Sequence, residues 1–288
     1  MRRDMIGGKT RVLGVVGHPV DHSLSPLMHN SAIARLNLDL VYLPFPVAPE
    51  CLEVALAGFA AIGVVGFNVT IPHKQAILPL LTEVSTVAAA VGAVNTVLRK
   101  DGGWLGTNTD VEGFVAPLLG DRDWRGTVAV VLGNGGAARA VVAGCSQLGC
   151  AEIFVVGRNR ERLAAFREGW DLPVSDRLRV CVWDELSSLI PQATLLVNAT
   201  DVGMGKKVDQ SPIGVEEMRL LPDGAVVYDL IYNPSPTKFL QLATDCGLMA
   251  IDGAEMLVQQ GAAALKLWLQ LPSVPVDVMR QALQSHLG

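Results

Sequence analysis

The residues whose types and spacing could do chemistry fall into two groups along the chain. The later group is a glycine turn, Gly133-Asn134-Gly135-Gly136-Ala137-Ala138, which follows the apolar run Val128–Leu132 and precedes a helical pattern. A buried strand that breaks at glycine and restarts as a helix leaves backbone N–H groups aimed outward at a positive helix end, which suits a pyrophosphate. Gly133 serves the tight turn, Gly135 the close approach of the phosphates, and Ala138 the packing of helix on strand. Glycine-rich turns also occur without a nucleotide, so the spacing by itself leaves both readings open. The next apolar run, Ile153–Val156, ends where an NAD enzyme places an acidic residue for the ribose 2′-hydroxyl. Here that tip reads Gly157-Arg158-Asn159-Arg160, with Arg162 beyond it and no carboxylate. Guanidinium groups there pair with a 2′-phosphate, so the expected cofactor is NADP; the other reading is a solvated basic turn.

The earlier group centres on Lys74. A strand over Val64–Val69 runs into Asn68-Val69-Thr70-Ile71-Pro72-His73-Lys74, which delivers a lysine to the carboxyl rim of a sheet, where ligands of parallel α/β sheets gather. A strand over Ala93–Val97 carries Asn95, and Gly106-Thr107-Asn108-Thr109-Asp110 opens a helical stretch that Asp110 could simply cap. Ser25-Pro26 opens an earlier helix, with Ser25 expected to cap it; Ser23, two residues before, has no such duty. His22, His29 and His73 lie near these segments without metal-ligand spacing, so no metal is expected, and His73 reads as a loop residue.

The elements that must position these groups alternate strand and helix, which indicates an α/β fold with parallel sheets. Strands are expected at Arg11–Gly17, Asp39–Val47, Val180–Trp183, Leu195–Val197 and Val226–Tyr228, and a hairpin turn at Asp101-Gly102-Gly103. Asn198-Ala199-Thr200 and Asp229–Pro234 follow two of these strands and would border the nicotinamide end of a dinucleotide. Helices are expected over Ala254–Leu271 and Val276–Leu287. At 288 residues, half of them hydrophobic, the chain can build two cores, with a boundary placed in the stretch Asp110–Asp123. A net charge of -5 argues against a nucleic-acid partner. Five scattered cysteines without C-x-x-C spacing read as reduced thiols of a cytoplasmic protein, and neither a signal peptide nor a membrane span is expected.

Over nearly its whole length the chain resembles the shikimate dehydrogenases. The resemblance rests on Gly17–Pro26 with His29-Asn30, on Asn68–Lys74, on Ala93-Val94-Asn95-Thr96 and on Asn108-Thr109-Asp110. It continues through the glycine turn, Asn198-Ala199-Thr200 with Gly203-Met204, Tyr228-Asp229 with Tyr232-Asn233-Pro234, and Gly253 with Met256-Leu257 and Gln260. It implies NADPH-dependent reduction of 3-dehydroshikimate to shikimate, with Lys74 and Asp110 as the catalytic pair. It further implies Ser23 and Ser25 as binders of the substrate carboxylate and Thr70, Asn95, Tyr232 and Gln260 as further substrate contacts. Cofactor contacts are implied at Gly133, Asn134, Gly135, Gly136, Ala137, Arg158, Asn159, Arg162, Ile231 and Gly253. The implied organisation is an N-terminal substrate domain, 1–115 closed by 252–288, and a Rossmann-type NADP domain, 116–251, in a protein that is often a homodimer. Where the family commonly has Asn-Arg-Thr at the tip of the second strand, this chain has Gly157-Arg158-Asn159; the arginine stays and its flanking partners change. Serine at both Ser23 and Ser25 favours shikimate over quinate, the alternative being a quinate or dual dehydrogenase. A more remote alternative is a dinucleotide-binding regulator without catalysis. The chemistry agrees with the family: hydride arriving at a ketone leaves an alkoxide, which an ammonium within reach can stabilise and protonate.

Overall fold

The structure, a computed structural model of the chain, describes residues 6–120, 122–171 and 174–287. It divides into two compact units, one formed by the chain up to Gly113 together with Val258–His286 and the other by Phe114–Leu257. The sequence reading draws these boundaries at 115/116 and 251/252.

The first unit runs β1 (Arg11–Gly17), α1 (Ser25–Arg35), β2 (Leu40–Pro46), α2 (Leu52–Ala61), β3 (Gly66–Val69), α3 (His73–Ala76), β4 (Glu83–Val84), α4 (Thr86–Val91), β5 (Thr96–Lys100), β6 (Gly103–Thr107) and the start of α5 (Asp110–Val115). Its sheet has the order β2-β1-β3-β5-β6-β4. The strands β2, β1 and β3 are parallel, while β5 runs antiparallel to both β3 and β6. Between β5 and β6 the chain reverses through a two-residue turn in which Asp101 (φ 48°) and Gly102 (φ 80°) are both left-handed, the hairpin geometry that Asp-Gly favours. Val16, Phe67, Val69, Val97 and Trp104 form the core of this unit. Two expectations change here. Ser25 does not cap α1: the cap position is Leu24, which makes no side-chain cap bond, and Ser23 Oγ accepts the Ser25 N–H at 3.3 Å. The hydroxyl with a local backbone duty is therefore that of Ser23. His73 is not a loop residue but the first residue of α3, buried, with its ring Nε2 2.7 Å from the Val47 carbonyl.

The second unit continues with β7 (Val128–Leu132), α6 (Gly136–Leu148), β8 (Glu152–Gly157), α7 (Arg160–Glu168), α8 (Val174–Arg177), β9 (Leu178–Val182), α9 (Leu186–Leu189), β10 (Leu195–Asn198), α10 (Val215–Met218), β11 (Val226–Asp229), α11 (Lys238–Asp245) and β12 (Met249–Ile251). Its strands are all parallel, in the order β12-β11-β10-β7-β8-β9. Counted from β7 this is the doubly wound order of a dinucleotide-binding domain. Both faces are covered: Val131, Val155 and Val197 enter one core, and Val130, Val156 and Leu196 enter the other. Burial on both faces is why these strands read as unbroken apolar runs. The chain then enters α12 (Ala254–Leu269) and α13 (Val276–Leu287). Within the first unit, Trp268 of α12 donates its indole N–H to the Val97 carbonyl of β5 at 2.9 Å. Among the described residues no helix is long and apolar enough to cross a membrane.

Candidate active site

Lys74 sits in the single turn of α3 that follows β3, and its carbonyl accepts the Val94 N–H at 2.8 Å, which fixes the turn against the segment leading into β5. Its ammonium donates to Asp110 Oδ2 at 2.6 Å; the two side chains are 18% and 8% exposed. Asp110 is the first residue of α5, yet its carboxylate does not serve as a cap. Asn108 Oδ1 accepts the Asp110 N–H at 3.0 Å, and Asp110 Oδ1 accepts from Asn95 Nδ2 at 2.7 Å. Asn95 lies one residue before β5 rather than within a strand, and its amide nitrogen also faces Thr109 Oγ1 at 3.0 Å and Gln260 Oε1 at 3.4 Å. Lys74, Asp110, Asn95 and Gln260 thus converge, and of the charged pair the lysine is the more exposed member. Thr70 is half-buried at the end of β3, its N–H bonded to the Val16 carbonyl, and Ser25 is buried at the start of α1. Among the described residues no cluster of three His, Cys, Asp or Glu side chains could hold a metal ion.

In the second unit the glycine turn has the shape of a phosphate cradle. Gly133 has φ +102°, and a Cβ there would lie 3.0 Å from the Ala199 carbonyl oxygen, so both the turn and the close approach require glycine. Gly135 occupies the cap position of α6 with no side chain to meet the first-turn N–H groups, and a Cβ there would meet nothing within 4 Å. Fold packing therefore leaves this space open beside unpaired helix N–H groups, which fits the pyrophosphate of NADP at Gly133, Asn134, Gly135, Gly136 and Ala137. Arg158 and Arg162 are exposed at the tip of β8 and the start of α7. Asn159 has a local duty besides: its Oδ1 accepts the Arg162 N–H at 2.9 Å and caps α7.

Ile231 is buried just past β11, and Gly253 is forced by packing, because a Cβ there would lie 2.1 Å from the Leu230 carbonyl oxygen. Tyr232 belongs to this unit and is half-buried. A buried carboxylate organises the region. Asp229 accepts from Asn198 Nδ2 at 3.0 Å, from the Ile231 N–H at 3.1 Å and from Thr237 Oγ1 at 2.7 Å. Burial pushes its pKa up to about 6, against those bonds, which favour the charged form. Sequence reasoning assigned no role to Asn68, Thr96 and Thr109, which surround Asn95; their signal was a set of polar side chains in otherwise apolar strand ends.

Known proteins resemble this chain in sequence and fold. Residues 15–97 match the family model described as shikimate dehydrogenase substrate binding domain, and residues 253–284 that of the shikimate 5′-dehydrogenase C-terminal domain. A shikimate dehydrogenase (NADP(+)) from Trichormus variabilis is 65% identical over 287 residues, covering 99% of each chain. The crystal structure of shikimate 5-dehydrogenase from Thermus thermophilus in complex with NADP(H) and shikimate is 36% identical, covers 96% of this chain and 99% of that one, and superposes with a TM-score of 0.83. The ligand-free 5-ketofructose reductase of Gluconobacter sp. strain CHM43 is 31% identical, with 97% and 100% coverage and a TM-score of 0.86. A match this close, running from end to end of the Trichormus enzyme, makes this chain a member of the shikimate dehydrogenase family.

Proposed function

We propose that this protein is an NADP-dependent oxidoreductase that reduces the ketone of 3-dehydroshikimate to the hydroxyl of shikimate, reversibly, in aromatic biosynthesis. The observation that carries the reading is the Lys74–Asp110 pair, 2.6 Å apart and tied to Asn95. When bound, NADPH supplies the hydride. Lys74 Nζ donates to the substrate oxygen as negative charge develops there and furnishes the proton that turns the alkoxide into a hydroxyl. Asp110 orients the ammonium, and in the reverse direction the Lys74 amine takes back the hydroxyl proton as the hydride leaves. Ser23 and Ser25 take the ring carboxylate, and Thr70, Asn95 and Gln260 pair with ring hydroxyls, so an analogue lacking one would leave a buried polar group unmatched. Tyr232 is a further substrate contact by resemblance. Gly133–Ala137 hold the pyrophosphate, Arg158 and Arg162 with Asn159 the 2′-phosphate, and Ile231 and Gly253 border the nicotinamide. The five cysteines are free thiols, in keeping with a cytoplasmic enzyme, and the assembly we expect is a homodimer.

The fold also serves a reductase of another ketone, so the substrate has to be read in solution. Purified protein assayed by absorbance with shikimate or quinate, each with NADP or NAD, should turn over fastest with shikimate and NADP. Quinate preferred over shikimate would overturn the choice of acid, and equal rates with NAD would overturn the 2′-phosphate assignment.

A further inference from the structure

Asn95 works only one way round. Its amide offers an acceptor on one side and donors on the other, and reversed it would present an oxygen to the Asp110 carboxylate. Two groups of fixed polarity meet it. The Thr109 backbone N–H donates to Asn95 Oδ1 at 2.7 Å, and Asp110 Oδ1 accepts from Nδ2 at 2.7 Å. A third neighbour is ambiguous: Thr96 Oγ1 lies 3.0 Å from Asn95 Oδ1, and a hydroxyl can donate or accept. Asn68 narrows the ambiguity. Its Nδ2 donates to the Asn95 backbone carbonyl at 3.1 Å, a group that can only accept, and to Thr96 Oγ1 at 3.0 Å. Its own Oδ1 accepts the Tyr42 hydroxyl at 2.7 Å. With an N–H arriving on one side, the Thr96 hydroxyl sends its proton onward, to Asn95 Oδ1 or to Thr109 Oγ1 at 3.1 Å. Tyr42, Asn68, Asn95, Thr96 and Thr109 are all buried, so bulk water does not compete for these bonds.

We propose that Asn68 and Thr96 are positioning residues of the reaction: by fixing the polarity and place of the Asn95 amide they hold the Asp110 carboxylate, and through it the Lys74 ammonium, at the reacting hydroxyl. This rests on the shikimate dehydrogenase reading given above. Neither residue touches the charged pair; the line of bonds that starts at Tyr42 ends on Asp110 Oδ1.

Thr96→Val removes the hydroxyl at nearly constant volume, and Thr96→Ser keeps it. Thr96→Val should lower kcat for shikimate oxidation about tenfold while KM for NADP stays within about twofold, the signature of a loss felt in the transition state. Thr96→Ser should recover most of the rate. In 15N-resolved spectra of the full chain, the side-chain NH2 signals of Asn95 should move in Thr96→Val and stay in place in Thr96→Ser. Wild-type kcat in Thr96→Val, an equal loss in Thr96→Ser, or unmoved Asn95 signals would overturn the assignment. Should the wild-type protein leave shikimate untouched, the functional reading fails, and the amide spectra still decide whether Thr96 orients Asn95.

Discussion

At the scale of single residues the proposed chemistry rests on one ammonium, that of Lys74, whose partner is itself held. Asp110 gives one oxygen to Lys74 and the other to Asn95, so the carboxylate cannot swing away when a substrate hydroxyl arrives. The ammonium of Lys74 keeps two further donors for a ligand, which matches a group that must meet a growing negative charge. Lys74→Ala removes an interaction proposed to strengthen in the transition state, while the glycine turn proposed for the nucleotide stays untouched. The variant should therefore lose about 10²–10⁴-fold in kcat with KM for NADP nearly constant, measured as initial rates of NADPH formation. Wild-type turnover would take Lys74 out of the mechanism, and a matching rise in KM for NADP would make its role one of general structure. The two serines show how a single-residue reading turns on geometry. Both have the same chemistry, yet Ser23 Oγ accepts a backbone N–H while Ser25, already inside α1 behind Leu24 at the cap position, makes no cap bond.

At the scale of elements, what was legible in the sequence was what burial on two faces or a special backbone angle writes into residue type. Val128–Leu132 reads as a strand because both its faces are covered, and Asp101-Gly102 reads as a hairpin because both residues are left-handed. The edge strands β4 and β12 left no such mark. They are two and three residues long and largely exposed, so neither an apolar run nor an alternation forms. Apolar neighbours make Asn95 read as part of a strand, whereas pairing with β6 starts at Thr96. The roles of Asn68 and Thr96 depend on strand register, which pairs Asn68 with Thr96 across β3 and β5 and cannot be read from either segment alone. The glycine turn was legible residue by residue, and two of its glycines, Gly133 and Gly135, separate by test. Gly133 is bound to its backbone angle; Gly135, at φ -88° with open space at its Cβ, is not. Gly135→Ser places a good capping residue at the head of α6, so thermal stability should hold or rise by a few tenths of a kcal/mol. The same side chain fills the space assigned to the pyrophosphate, so KM for NADP should rise by about tenfold or more. Unchanged KM in a stable Gly135→Ser variant would mean that the nucleotide does not lie there.

At the scale of the whole molecule, each unit carries a buried group whose titration burial moves within the acid range, and the two respond to acid in opposite senses. His29 in the first unit is fully buried, stacked on Tyr42 at 4.2 Å, with no hydrogen-bond partner for either ring nitrogen among the described residues, and burial lowers its pKa from 6.5 to about 3. Asp229 in the second unit is raised from 3.8 to about 6 by burial. Below pH 6.5 the unfolded first unit binds a proton on His29 that the folded unit refuses, so its stability falls as pH drops toward 3, by about 1.4 kcal/mol per pH unit. Between pH 6 and 3.8 the folded second unit holds a proton on Asp229 that the unfolded chain does not, so its stability rises at a similar slope as pH drops. Asp123, lowered to about 2 by its bond to Arg125, and Asp201, lowered by its bond to Lys207, do not share the upward shift of Asp229. Acidification from about pH 6 to about pH 4 should thus separate the two units by moving the urea midpoint of the first down and that of the second up. Hydrogen exchange followed peptide by peptide, β1 and β3 against β7 and β10, would resolve them. His29→Phe should flatten the first dependence and Asp229→Asn the second, each leaving the other in place. Parallel movement of both units in the wild-type protein, or slopes that survive these substitutions, would show that the buried charges do not govern how either core meets acid.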